Sequence, residues 1–106
     1  MIVSFCNEMN GSWFPWSGVH YGGGKVIEGT NPPRFEGPEV FKKAWRHVVD
    51  RVRARGAANV KWVLHMMDFS DPNDEWNMAA QYYPGPEYTD WLGFSLYGAQ
   101  LSLIHI

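Results

Sequence analysis

Met1-Ile2-Val3-Ser4-Phe5-Cys6-Asn7-Glu8-Met9-Asn10-Gly11-Ser12-Trp13-Phe14-Pro15-Trp16 is the stretch from which the rest of the chain can be read. Met1–Cys6 is a short continuous apolar run, the pattern of a strand buried on both faces of a parallel sheet. Directly after it come a carboxamide, a carboxylate, an Asn-Gly step and two indoles. A carboxyl at the point where a buried strand opens into a loop, with aromatic platforms beside it, matches the needs of polysaccharide cleavage. An acid must protonate the glycosidic oxygen, and flat apolar rings must hold the sugar faces on either side of the bond. A lone Glu near a turn would be an ordinary surface group, but the residues around Glu8 reverse that reading.

Working outward, residues 7–37 read as a long loop dense in Gly, Pro and aromatics, including Gly22-Gly23-Gly24 and Pro32-Pro33. Loops of this length in compact domains are usually functional, and in a barrel they lie at the strand C-terminal face. A helix is predicted from about Pro38 to Arg55, with Phe41, Trp45, Val48, Val49 and Val52 on one stripe. Pro38 suits its first turn and Gly56 its stop. Glu39 lies at the positive end of the helix dipole and Arg51, Arg53 and Arg55 at the negative end, where they read as a solvated face. Asn59–His65 is the next strand, which makes a βαβ unit. Residues 66–89 carry Pro-rich punctuation and at most a short helix near Glu75–Gln81, and Asp90–Tyr97 is a third strand.

The chain has 106 residues, a formal net charge of −2, and 45% hydrophobic and 16% aromatic content. That composition suits buried strands and a sugar cleft, not a disordered tail. Among the six tryptophans, Trp45 and Trp62 are expected in the core. Without a basic stripe a nucleic-acid partner is not expected. No apolar run approaches the ~18 residues of a membrane span. The single Cys6 cannot form an internal disulfide and leaves the compartment undecided. No cleavable signal is visible.

The segment Asn7–Trp16 resembles the acid/base motif of glycoside hydrolase family 26, the β-mannanase family of the retaining-glycosidase clan built on (β/α)8 barrels. The family's acid/base motif reads approximately Arg-Phe-x-His-Glu-Met-Asn-Gly-x-Trp-Tyr-x-Trp at the end of the fourth barrel strand. The likeness continues through Trp45–Asp50, Asn59–Val63, Tyr82–Gly85 and Tyr88–Gly93, covering nearly all of residues 1–100. Ser4 stands where the family often has Arg, and Asn7 where it usually has His; Asn before the acid is the habit of the wider clan. The resemblance implies an α/β fold, an incomplete (β/α)8 TIM barrel of roughly strands 4 to 6, since a whole barrel needs about 250 residues. It also implies a retaining endo-β-glycosidase, most simply one cutting β-1,4-mannan, from a secreted parent and without a cofactor. Activity on xylan or mixed-linkage glucan, or a non-catalytic carbohydrate-binding barrel, are the alternatives.

On that resemblance Glu8 is the general acid/base, and the nucleophile is expected beyond Gln100, so the segment alone is expected to be inactive. Glu28, Glu36, Glu39, Asp50 and Glu87 have ordinary loop or helix explanations. Asn7 is expected to bond the sugar hydroxyl beside the reacting carbon, Trp13 to stack a sugar, and Trp16 to be platform or wall. Tyr97 matches a tyrosine that orients the nucleophile in the family. His65, at a strand end, is a candidate substrate contact, although a lone His is more often structural. Asp68-x-Ser70-x-x-Asn73-Asp74 lacks the Gly and the closing Glu of a calcium loop, and Gly22-Gly23-Gly24-Lys25-Val26 lacks the Ser/Thr of a phosphate loop, so no metal or phosphate site is expected. Cys6 is expected to be packed core. Leu101-Ser102-Leu103-Ile104-His105-Ile106 breaks the family pattern and is what CTG-TCT-CTT-ATA-CAC-ATC encodes, similar to a transposon-end sequencing adapter. Those residues are therefore read as translated adapter and set apart from the fold.

Overall fold

Phe41, Trp45 and Val49 repeat at the spacing that puts them on one side of a helix, and in the computed structural model that side is the core. The structure describes residues 1–95. Helix α1 spans Glu36–Ala54. It starts two residues before the expected Pro38, because neighbouring backbone caps it in place of a side chain. The Glu36 and Gly37 N–H groups donate to the carbonyls of Lys25 and Gly23 at 2.8 and 2.9 Å, and Pro38 has no N–H to satisfy. The helix ends on Gly56, whose φ of 88° is the left-handed turn a Cβ disfavours. Gly56 and Ala57 then donate to the carbonyls of Arg53 and Val52, closing the last turn.

Strands β1 (Ile2–Val3), β2 (Lys61–Met67) and β3 (Trp91–Ser95) form one parallel sheet in the order β1-β2-β3. Helix α1 makes the crossover from β1 to β2. Between β2 and β3 only two 3₁₀ turns occur, Glu75–Asn77 and Ala79–Tyr82, in place of the single short helix expected there. Asp90 sets the start of β3. Its N–H donates to the Trp62 carbonyl at 2.9 Å and its carboxylate accepts the Trp62 N–H at 2.8 Å.

Three expectations about the strands need correction. The first strand is shorter than Met1–Cys6, because Cys6 has a φ of 52° that turns the chain out of the extended region. It is also not buried on both faces: Ile2 is 59% exposed, since β1 is an edge strand among the described residues. Strand β2 runs on to Met67, beyond the expected end at His65. Trp62, Leu64 and Met66 alternate along it onto the helix side and are buried, while Val63 and His65 face the other side and are half-buried.

The core is an aromatic stack. Phe5 lies flat on Trp45 with centroids 4.3 Å apart, Trp62 meets both rings edge-on, and Tyr82 meets Phe41 edge-on. Trp45 and Trp62 are thus core residues, as expected, and burying each large side chain contributes about 1.5–3 kcal/mol. Cys6 packs against the same cluster, and burial pushes its thiol up from the ordinary value. Val48, expected in the stripe, is half-exposed on the open side of α1 with Val40. Beside β3 a groove of about 440 Å³ is lined by Met66, Ala79, Tyr83, Leu92 and Phe94. The sheet is open at both edges over the described residues, and among them no helix is long and apolar enough to cross a membrane.

Candidate active site

Glu8 sits where β1 has ended and the chain crosses the C-terminal rim of the sheet. Its N–H donates to the His65 carbonyl at 2.8 Å, so Glu8 rejoins the ladder of β2 after a break at Ser4–Asn7. The first strand spends more residues than the second between these two registrations. The excess is taken up by Cys6 and by Glu8 itself, both with positive φ (52° and 59°). Non-glycine residues held in this region store of order 1–3 kcal/mol each and cluster at functional sites.

The carboxylate of Glu8 is gripped on both oxygens. Oε1 accepts from the Trp13 indole Nε1 at 3.2 Å, and Oε2 accepts from the Ser95 hydroxyl at 2.6 Å. Ser95 lies at the end of β3 and is 9% exposed, and its Oγ is also 2.6 Å from His65 Nε2. Glu8 from the loop after β1, His65 from within β2 and Ser95 from the end of β3 therefore meet.

Trp13 is 47% exposed, a flat apolar ring available to a ligand. Its place depends on Gly11, where a Cβ would fall 2.4 Å from Trp13 Cζ2. Trp16 is half-buried. Its Nε1 donates to the Asn7 carbonyl at 2.8 Å and its ring stacks on Phe14 at 4.5 Å, so it acts here as a wall that fixes Asn7. The Asn7 carboxamide accepts from Ser4 Oγ at 2.5 Å, its one side-chain hydrogen bond among the described residues. Of the expected site residues, Glu8, Asn7, Trp13, Trp16 and His65 gather at one rim; Tyr97 lies outside the described residues.

Beneath the rim is a buried polar knot whose importance the sequence reading missed. Asn10, fully buried, donates from Nδ2 to the Met67 carbonyl (3.1 Å) and Ser70 Oγ (3.2 Å), and its Oδ1 accepts the Met67 N–H (2.9 Å). Asn77 donates from Nδ2 to the Asn10 carbonyl (2.9 Å), and Tyr82 donates its phenol to Asn77 Oδ1 (2.6 Å). Burial holds the Tyr82 phenol well above its usual range. Ser70, which the sequence placed in a conceivable cation loop, instead donates to the Asn77 carbonyl at 2.7 Å. Among the described residues no group of three or more His, Cys, Asp or Glu side chains is placed to hold a metal ion.

Three further carboxylates, Glu36, Glu39 and Asp50, have side-chain partners of their own. Glu36 pairs with Lys25 at 3.7 Å, Glu39 with Arg34 and Lys42, and Asp50 accepts from the Tyr88 phenol at 3.3 Å.

A model of glycosyl hydrolase family 26 matches residues 1–105. Endoglucanase H of Acetivibrio thermocellus is 33% identical over 91 residues, an overlap covering 86% of this chain and 9% of that protein. The chain thus spans less than a tenth of that relative's length. No solved structure matches.

Proposed function

The chain belongs to glycosyl hydrolase family 26, and from that premise we propose that it is the acid/base segment of a retaining endo-β-glycanase barrel acting on β-1,4-mannan. Glu8 protonates the glycosidic oxygen in the first step and takes a proton from water in the second. The observation that carries this reading is the Glu8 carboxylate at the sheet's C-terminal rim, held between the Trp13 indole and the Ser95 hydroxyl. Catalytic carboxyls of parallel barrels sit at this rim. Trp13 is the sugar platform, and Asn7 offers its Nδ2 to the hydroxyl beside the reacting carbon. The second carboxyl of a retaining site stands about 5–5.5 Å from the first. On the family resemblance the nucleophile lies on a later strand of the full enzyme, and on this reading the segment alone is inactive.

A second reading is a β-glucan substrate. The matched relative is named an endoglucanase, and Asn7 replaces the His usual before the acid in the mannanases it resembles. The deciding experiment is a panel of galactomannan, glucomannan, mixed-linkage β-glucan and xylan offered to the full-length enzyme and its Glu8→Ala variant. Mannan is expected to be cut fastest. Glu8→Ala is expected to slow polysaccharide hydrolysis by ~10²–10⁴-fold and to affect aryl glycosides with good leaving groups least in the first step. Fastest cleavage of β-glucan would favour the second reading. Equal slowing for all leaving groups would make Glu8 structural, and binding without any hydrolysis would make the protein a carbohydrate-binding barrel.

A further inference from the structure

We propose that Ser95 and His65 are positioning residues that hold Glu8 in both of its proton states, an inference that rests on the acid/base reading of Glu8. An acid/base residue must be fixed when protonated, to aim its proton, and again when ionised, to aim its lone pair. Trp13 can only donate, so it holds Oε1 in either state but cannot accept the proton that Glu8 carries on Oε2. Ser95 differs: a hydroxyl does both, and an imidazole nitrogen does either according to its tautomer.

The distances allow the chain of bonds to run both ways. With Glu8 ionised, His65 Nε2–H donates to Ser95 Oγ and the Ser95 hydroxyl donates to Glu8 Oε2, each across 2.6 Å. With Glu8 protonated on Oε2, its O–H donates to Ser95 Oγ, and the Ser95 hydroxyl turns to donate into the Nε2 lone pair. The extra proton on Glu8 comes from solvent. His65 gives up its proton at Nε2 and gains one at Nδ1, so the charge of the ring does not change. No hydrogen bond is lost in the exchange.

The placement suits this task. His65 lies within β2 and Ser95 ends β3, and His65 also accepts the Glu8 N–H on its own carbonyl at 2.8 Å. One residue therefore holds the Glu8 backbone directly and its carboxylate through Ser95. With Ser95 9% exposed, bulk water is poorly placed to substitute. His65 was a candidate sugar contact; the engagement of its Nε2 with Ser95 assigns it to Glu8 instead.

The test uses the full-length enzyme and two aryl glycosides. One has a poor leaving group, so that Glu8 limits the rate as acid; the other has a good leaving group, so that Glu8 limits it as base. Ser95→Ala is expected to lower kcat about tenfold on both, the order of one hydrogen bond to a charged group, with KM nearly unchanged. Ser95→Thr is expected to restore most of the rate. His65→Leu should resemble Ser95→Ala, whereas His65→Gln, whose amide can donate or accept, should retain more activity. Loss on one substrate only, or a raised KM with unchanged kcat in the His65 variants, would overturn the proposal. If Ser95→Ala fails to fold, the comparison of His65→Leu with His65→Gln decides in its place. Glu8→Ala run alongside separates the two readings: a normal leaving-group dependence there with no effect at Ser95 refutes the positioning role alone.

Discussion

Asn10→Ala should be among the most damaging single changes in this segment outside the carboxylate itself. The carboxamide of Asn10 behaves like an extra strand residue, pairing with both the N–H and the carbonyl of Met67 at the end of β2. Truncation leaves those two backbone groups facing a space the size of an amide, with Asn10 fully buried and Met67 4% exposed. An unpaired buried polar group costs about 1–3 kcal/mol, so the pair costs roughly 2–5 kcal/mol, the lower end applying if one water enters the space. In a barrel of about 250 residues, where 1 kcal/mol moves Tm by about 2–4 °C, the expected fall is roughly 5–15 °C. Activity should fall further than stability alone explains, because Asn10 ties the loop bearing Glu8 to β2, and a 1 Å misplacement costs on the order of 10²-fold. The assay is thermal unfolding of the full-length enzyme together with kcat/KM. The control is Ser12→Ala, which removes an exposed hydrogen bond to Asp71 and is expected to stay within about 0.5 kcal/mol. A Tm within about 1 °C of the parent, or a cost no larger than that of Ser12→Ala, would refute the reasoning.

Gly11→Ala should displace the Trp13 indole, because the new Cβ would lie 2.4 Å from Cζ2, and overpacking of this kind costs about 1–3 kcal/mol. The expected signature is a kcat/KM lowered about tenfold in Trp13 enzyme and unchanged in a Trp13→Ala background, read as a double-mutant cycle. Alkaline stability should depend on Tyr82: burial raises its folded value, so its contribution is complete below the unfolded value near pH 10 and is lost as pH rises beyond it. Tyr82→Phe should cost about 1–2 kcal/mol at neutral pH, through the lost bond to Asn77, yet flatten the fall of Tm above pH 10.

The parallel order, the crossover helix and the rim position of Glu8 were legible because each rests on a local pattern. The stripe Phe41–Trp45–Val49 fixes a helix face, and the apolar alternation of Trp62, Leu64 and Met66 fixes a strand face. The motif residues Asn7, Glu8, Trp13 and Trp16 do lie together at one rim, as a contiguous stretch of sequence leads one to expect. What was not legible depends on pairs far apart in sequence. Ser95 reaches Glu8 only because β3 registers Gly93 on His65, and a serine near a strand end carries no mark of that. Asn10 stood inside the motif, but its bonds to Met67 and Ser70 depend on the path of the loop after β2. The one available signal was an Asn-Gly step that did not sit between two strands and so needed another reason to be there. The length of β1 was misread because hydrophobicity cannot report a φ of 52° at Cys6.

That backbone sign also bears on how Glu8 is to be understood. A left-handed residue would ordinarily be glycine, and an L-residue there costs roughly 1–2 kcal/mol. The chain uses glycine freely nearby, at Gly22 and Gly23 with φ of 95° and 49°, so this loop readily takes glycine at such positions. At position 8 it carries a glutamate instead, with its N–H on the His65 carbonyl and both carboxylate oxygens engaged. Those bonds offset the strain but do not explain its location, since a glycine could make the same backbone bond without the cost. What glycine lacks is the carboxyl. The left-handed turn lets the Glu8 side chain leave the strand line and meet Ser95 and Trp13 above the rim, where on the proposed reading a sugar resting on Trp13 would present its bridging oxygen. Strain at a residue whose only irreplaceable part is an acid group is what a catalytic carboxyl predicts and a structural glutamate does not.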